Sequence, residues 1–221
     1  MKILAVDVGG TNVKVLASGH RTPIKIKSGP TLTPREMVRA VREAAADWKY
    51  DRVSIGYPGP VRAGKPVEDP WNLGPGWVGF DFRRAFGKPV RLVNDAAMQA
   101  LGSYEGGGTM LFLGLGTGLG TALIKDGVLI PLELAHLPYH RGKTYEEWIG
   151  EAAFRRQGKH RWRRHVLEIV ELLSAAFLAD YVVLGGGNVR HIKRLPRGVK
   201  RGKNANAFLG GYRLWKSPRA S

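Results

Sequence analysis

The chain has 221 residues, 43% of them hydrophobic and 24% charged, proportions and length that suit a folded protein with a sizeable core and exclude global disorder. It contains no cysteine, which removes disulfides, thiolate nucleophiles, iron–sulfur clusters and Cys-ligated zinc and suits a reducing compartment. The 35 lysines and arginines against 18 acidic residues give a formal charge of +17, concentrated late: 17 basic against 12 acidic residues over 1–140, then 18 against 6 over 141–221. Such a field attracts polyanions as a class, from nucleotides and polyphosphate to nucleic acid and acidic membrane, and selects none of them; a solvated basic surface carries the same charge.

The opening MKILAVDVGG is apolar only until Asp7 and two glycines interrupt it, so it reads neither as a secretory signal nor as a spanning segment. The expectation is a cytoplasmic protein with no membrane partner, built as one large domain or two small lobes. Ile3–Val8 and Val13–Ser18 are aliphatic runs separated by Gly9-Gly10-Thr11-Asn12, and Ile24–Lys27 alternates apolar with basic, which predicts strand, tight turn, strand, strand. Thr33 and Pro34 supply an N-cap and a first-turn proline for a helix with Met37, Val38, Val41, Ala44 and Ala45 at helical spacing, ending by Trp48. Strand Val53–Tyr57 leads into Pro58–Trp77, rich in proline and glycine, which is an ordered loop or a linker of a length usually tied to function. Val90–Val93 is a short strand that delivers Asn94-Asp95 at its carboxyl end, before a helix over Ala96–Tyr104.

Glu105-Gly106-Gly107-Gly108 marks the expected boundary between an N-terminal lobe, 1–105, and a C-terminal lobe, 106–221. The second lobe opens as the first does, with strand Thr109–Leu115, a glycine-alternating turn over Gly114–Gly120 and strand Thr121–Lys125, a sign of internal duplication. Helices are predicted over Glu146–Phe154 and Val166–Leu178, and a buried strand over Tyr181–Leu184 ends in a third glycine turn, Gly185-Gly186-Gly187. Arg190–Lys203 reads as a basic loop or ragged helix, Asn206–Trp215 as a closing helix with its glycines at a packing contact, and the final SPRAS as a frayed end.

The three glycine turns, each directly after an apolar strand, carry the main functional signal. Glycine lets the backbone approach a phosphate closely, and successive N–H groups pointing into one concavity bind anions without a side chain. Asp7, ahead of Gly9, Gly10 and Thr11, adds a carboxylate able to orient a magnesium ion or its waters. Hairpins need glycine too, which is the alternative for any single turn. The dinucleotide fingerprint does not fit Gly116-Thr117-Gly118, because a strand rather than a helix follows, and no Gly-Lys-Ser/Thr run exists.

The segments DVGGTNVKV (Asp7–Val15), GYPGPV (Gly56–Val61), WNLGPGW (Trp71–Trp77), VNDAAMQALG (Val93–Gly102), LGLGTGLGTALI (Leu113–Ile124), ELAH (Glu133–His136) and VVLGGGNV (Val182–Val189) resemble, in order, the successive motifs of the ROK sugar kinases. Within that family, LPYHRGKTYEEWIGEAA (Leu137–Ala153) and RWRRHV (Arg161–Val166) look most like the polyphosphate glucokinase branch. The resemblance implies an α/β protein with the two-lobed, actin-like ATPase (ribonuclease H-like) fold and its active cleft between lobes. It also implies a magnesium-dependent phosphoryl transfer from polyphosphate and/or ATP to the 6-hydroxyl of glucose, and the homodimer common in the family.

Carried over by motif, Asp95 is the general base, a role that an ionised carboxylate suits at neutral pH; helix capping is the alternative use of an Asp after a strand. The resemblance further implies sugar contacts from Asn72, Asn94, Asp95, Glu133 and His136, and from Glu146, for which Glu147 is the alternative. Either glutamate also suits a helix first turn. Gly9, Gly10 and Thr11, with Gly116, Thr117 and Gly118, would hold the donor phosphates, while Lys14 reads as a solvent-facing strand residue or a further member of the first motif. Gly185, Gly186 and Gly187 match the donor site, where they would hold adenosine or an oligophosphate. The basic residues around them, Arg163 and Arg164 among them, would favour a polyphosphate track. Many relatives in the family carry a cysteine-rich zinc motif beside Glu-x-x-His; without cysteines, no zinc site is expected and His136 is left to the sugar.

Two alternatives stay open. One is an ATP-dependent kinase for another hexose, such as mannose, fructose or an N-acetylhexosamine. The other is a non-catalytic sugar-sensing or polyanion-binding protein. Family repressors carry an N-terminal helix-turn-helix, for which a chain starting at its first strand leaves no room, and Trp162 and Tyr212 alone offer little base stacking, so nucleic acid is not an expected partner.

Overall fold

A computed structural model describes residues 1–216; the frayed end expected over 217–221 lies outside the described residues. The described residues divide into two compact units: 1–102 together with 207–216, and 103–206. The break thus comes three residues before the position expected from the Glu105–Gly108 stretch. The closing helix, expected with the second lobe, belongs to the first unit.

In the first unit, β1 (Ile3–Val8), β2 (Asn12–Ala17) and β3 (Ile24–Lys27) form an antiparallel meander. Every residue of β1 is buried, whereas β2 alternates, as a strand covered on both faces and its half-covered neighbour should. Helix α1 (Pro34–Ala44) starts at the expected place because Thr33 and Glu36 cap each other reciprocally, with Pro34 in the first turn. β4 (Arg52–Tyr57) then adds to β1 in parallel.

Pro58–Trp77 is an ordered loop rather than a linker. It contains a two-strand hairpin, β5 (Val61–Arg62) and β6 (Lys65–Pro66), turned by Ala63 and Gly64, both at positive φ. The Tyr57 hydroxyl donates to the Glu68 carbonyl at 2.6 Å, and fully buried Trp77 donates its indole N–H to the Gly74 carbonyl at 2.8 Å. Short helix α2 (Phe82–Phe86), without a sequence expectation, is capped by Asp81 and closed by left-handed Gly87. β7 (Val90–Asn94) completes the order β3-β2-β1-β4-β7, and α3 (Asp95–Ser103) follows directly.

The second unit repeats this plan. β8 (Thr109–Leu115), β9 (Leu119–Lys125) and β10 (Val128–Leu132) form an antiparallel meander, followed by the small hairpin β11 (Pro138–His140) and β12 (Lys143–Thr144). Helix α4 (Tyr145–Ile149) is separated by extended Gly150 from α5 (Glu151–Ala176), which is interrupted at Gly158, at φ 73° and ψ 163°. The basic stretch 159–164, unassigned by periodicity, is therefore helical. β13 (Tyr181–Gly185) joins β8 in parallel, a 3₁₀ turn covers Gly187–His191, and β14 (Val199–Arg201) gives the order β10-β9-β8-β13-β14. Both sheets thus have a three-strand meander extended by two parallel strands.

Helix α6 (Asn206–Arg213) packs on the first unit. A side chain on Gly210 would strike the Met98 carbonyl of α3, and one on Gly211 would meet Ala5 and Ser54. The pair marks the expected packing contact, which Ser54 reinforces by donating to the Gly211 carbonyl at 2.6 Å and accepting from the Trp215 indole at 2.8 Å.

Candidate active site

Three parallel strands of the first unit, β1, β4 and β7, end at the same sheet edge, where Asp7, Gly56 and Val93 stand in register. Ligands of open α/β sheets bind at such carboxyl ends. Asp7 is 7% exposed, and its cross-strand neighbour Lys14 places the ammonium 3.3 Å from the carboxylate. Lys14 is therefore an ion-pair partner rather than a purely solvent-facing residue. Burial raises the Asp7 pKa, an effect only partly opposed by the Lys14 charge.

The first glycine turn is tightly organised. The Gly9 N–H donates to the Asn12 carbonyl at 3.1 Å, and the Gly9 carbonyl accepts the Ser28 hydroxyl at 2.5 Å. The Asn72 amide lies so close to Gly10 that any side chain there would strike it. Asn72 is brought to this turn by its loop: Asp69 accepts the backbone N–H groups of Gly76, Trp77 and Val78 at 3.0, 2.8 and 3.1 Å, which holds its pKa below the usual carboxylate range. The Asn72 side-chain oxygen is buried without a hydrogen-bond partner, the signature of an acceptor that a polar ligand would satisfy.

Asn94 and Asp95 divide their duties. The Asn94 oxygen accepts from the Ala96 and Ala97 N–H groups at 2.8 and 3.3 Å, and its amide donates to the Gly59 carbonyl at 3.0 Å. It caps α3 and ties the Pro58–Pro60 corner to β7, so the sugar contact expected of Asn94 competes with a structural use. Asp95, half-buried, accepts from the Ala96 N–H at 2.7 Å. Gly56 lets α3 come close: a Cβ there would lie 3.4 Å from the Asp95 Cα and 2.5 Å from Met98 Cε.

In the second unit, Gly116, Thr117 and Gly118 turn between β8 and β9. The Glu146 carboxylate accepts from the Leu119 N–H at 3.1 Å and occupies the space that a side chain on Gly118 would need. Glu147 is instead consumed in a capping box with Thr144, at 2.9 Å from its N–H, so of the two candidate glutamates only Glu146 meets the glycine turn. Glu133 and His136 are exposed on a segment held by Thr121, which accepts the Leu134 N–H at 3.2 Å, and by the Glu146 N–H, which donates to the Ala135 carbonyl at 3.0 Å. The structure thus joins the two segments, while the Glu146 carboxylate itself leans on the turn.

Gly186, at φ 82°, packs so tightly on Leu115 that no side chain fits. Two residues later lies Asn188, 5% exposed, which directly follows the third glycine turn and to which the motif VVLGGGNV by itself assigns no role. Its amide donates to the Gly116 carbonyl at 3.2 Å and to Glu151 at 2.6 Å. Glu151, also bonded by Arg155 at 3.0 Å, has its pKa lowered chiefly by Asn188.

The basic set is only partly available to a ligand. Arg155 pairs with Glu151, Arg156 donates to the Glu147 carbonyl, Lys200 pairs with Glu105, and Arg201 donates to the Val189 and Ile192 carbonyls. Arg163 and Arg164 are exposed on α5.

Two sheets of the same mixed order, each with a glycine turn after its first strand, define the actin-like ATPase class of fold. The chain belongs to the ROK family, whose model matches residues 3–131. Among curated proteins it is similar to the polyphosphate glucokinase of Mycobacterium tuberculosis, 27% identical over 82% of this chain and 76% of that protein, and to that of Mycobacterium leprae, 29% identical over 86% and 64%. Among solved structures it is similar to the inorganic polyphosphate/ATP-glucomannokinase of Arthrobacter sp. strain KM, with a TM-score of 0.81 at 23% identity over 95% of this chain and 96% of that one. Among the described residues, no helix is long and apolar enough to cross a membrane.

Proposed function

We propose that this chain is a sugar kinase that transfers a phosphoryl group from polyphosphate, ATP or both to the 6-hydroxyl of glucose. The observation that carries the reading is the gathering of Asp7, Gly10, Asn72 and Asp95 around one carboxyl edge of the first sheet, with the buried Asn72 oxygen lacking a protein partner. The polyphosphate glucokinases similar to it support the choice of donor and sugar.

In this reading Asn72 accepts a sugar hydroxyl, and Glu133, His136 and Glu146 contribute further sugar contacts. Asp95 takes the proton of the 6-hydroxyl as that oxygen attacks the terminal phosphorus. The bridging P–O bond breaks, and the leaving group is ADP or a polymer one phosphate shorter. The glycine turns Gly9–Thr11 and Gly116–Gly118 offer N–H groups to the donor phosphates, while Gly185–Gly187, Arg163 and Arg164 serve the rest of the donor. Asp7 is the carboxylate at this edge that would hold a magnesium ion or its waters, in competition with the Lys14 ammonium 3.3 Å away. Bound there, the ion would supply charge neutralisation to the donor phosphates.

The test is hexose 6-phosphate formation from glucose and magnesium, run in parallel with long-chain polyphosphate and with ATP. Product from polyphosphate is expected. Product from ATP alone removes the polymer from the reading, product only from another hexose moves the acceptor, and no product from any donor across a hexose panel overturns it.

A further inference from the structure

The turn Gly116–Gly118 is gripped by its carbonyls. The Gly116 carbonyl accepts the Asn188 amide at 3.2 Å, and the Thr117 carbonyl accepts the backbone N–H of Glu151 at 3.1 Å. A trans peptide unit carries its carbonyl and the following N–H on opposite edges, and no cis peptide occurs among the described residues. Drawing the two carbonyls towards the 3₁₀ turn and α5 therefore aims the N–H groups of Thr117 and Gly118 the other way. Neither N–H has an acceptor among the described residues, Thr117 is exposed, and the space beside Gly116 is open.

We propose that Asn188 is a positioning residue for the phosphoryl donor, holding the Gly116–Thr117 peptide in the orientation that presents the Thr117 N–H to an anionic phosphate oxygen. The inference rests on the kinase reading above and adds to it a residue that touches neither donor nor sugar. Glu151 anchors the device: it takes the second amide hydrogen of Asn188 at 2.6 Å, and Arg155 holds it in turn at 3.0 Å, so Asn188 cannot swing away without leaving a carboxylate short of a partner. The first unit has a counterpart, in which the Ser28 hydroxyl bonds the Gly9 carbonyl at 2.5 Å and thereby aims the Gly10 N–H away from Ser28. Two glycine turns of unlike sequence surroundings are thus oriented by a side chain acting on a carbonyl.

A backbone N–H contributes to anion binding only while its peptide is held in place, and loss of one such donor is felt strongly. Asn188→Ala should raise the KM for the donor about tenfold or more while the KM for sugar stays at the wild-type value. Asn188→Asp, which cannot donate to Gly116 and faces Glu151 with like charge, should be as impaired as the alanine variant. Calorimetric titration of the full chain with tripolyphosphate reads the same effect without turnover, and glucose titration of each variant reports that the sugar site is intact. Equal tripolyphosphate affinity in wild type and Asn188→Ala overturns the inference and leaves the kinase reading standing, as does a parallel loss of sugar and donor affinity, which marks a merely structural residue. A wild-type chain that binds glucose but neither tripolyphosphate nor ATP overturns the donor assignment and the inference with it.

Discussion

Asn94 and Asp95 are neighbours with different work. Asn94 spends both ends of its amide on the protein, on the first N–H groups of α3 and on the Gly59 carbonyl, which fixes the backbone from which Asp95 projects. If Asp95 is the base, Asp95→Asn should retain glucose binding by calorimetry and lose turnover by about 10²–10⁴-fold; undiminished turnover would sink the assignment. Asn94→Ala should instead act through the fold, since it uncaps α3, a loss typically worth about 1 kcal/mol. The sequence shows that an acid follows β7, but which of two adjacent polar side chains turns back to cap the helix depends on side-chain geometry that no local pattern encodes. The same holds for Glu146 and Glu147, separated only once Thr144 claims the second.

Between elements, the hairpin β11–β12, α4 and α5 are joined by a cluster of rings. Tyr139, His140 and Trp148 surround His165, with Tyr145 stacked on Tyr139; the His165 ring centroid lies 4.4 Å from that of Trp148, and its Nδ1 shares a 3.1 Å hydrogen bond with the Tyr139 hydroxyl. His165 is 6% exposed, and its Nε2 is buried without a partner. Burial lowers its pKa, with Arg164, Arg161 and His140 acting in the same direction and Glu168 against it. A base whose folded pKa lies below its ordinary value of 6.5 favours the neutral ring in the fold; its contribution is complete above that value and is lost as pH falls through the folded pKa. The wild-type melting temperature should therefore drop on acidification from about pH 7 to 5, and His165→Gln should flatten that drop. An unchanged pH profile in the variant would remove His165 as the cause. None of these strands was foreseen, because two- and three-residue strands carry too few positions for alternation to register.

For the whole molecule, the charge of +17 matters through its distribution. Part of the basic set is committed to internal bonds, so the surface offered to a polyanion is smaller than the sequence suggests, with Arg163 and Arg164 in it. Replacing both with alanine should raise the apparent KM for long polyphosphate more than that for ATP, and the difference should shrink as salt rises, because screening removes the long-range term. Equal effects on the two donors would leave those charges as surface.

Read alone, the sequence determined the strands β1, β3 and β8 to the residue, the start of α1, the three glycine turns and the order of the motifs, since apolar runs, caps and glycines act over a few neighbouring residues and leave a local record. Tertiary structure alone decided that α6 returns to the first unit, that Asn72 rests on Gly10, that Glu146 rather than Glu147 meets the second turn, and that Asn188 holds it. Each of those depends on which surfaces meet after the chain has folded. Gly10 and Asn72 are 62 positions apart in the chain and Gly116 and Asn188 are 72 apart, distances over which periodicity and propensity say nothing and only packing brings partners together.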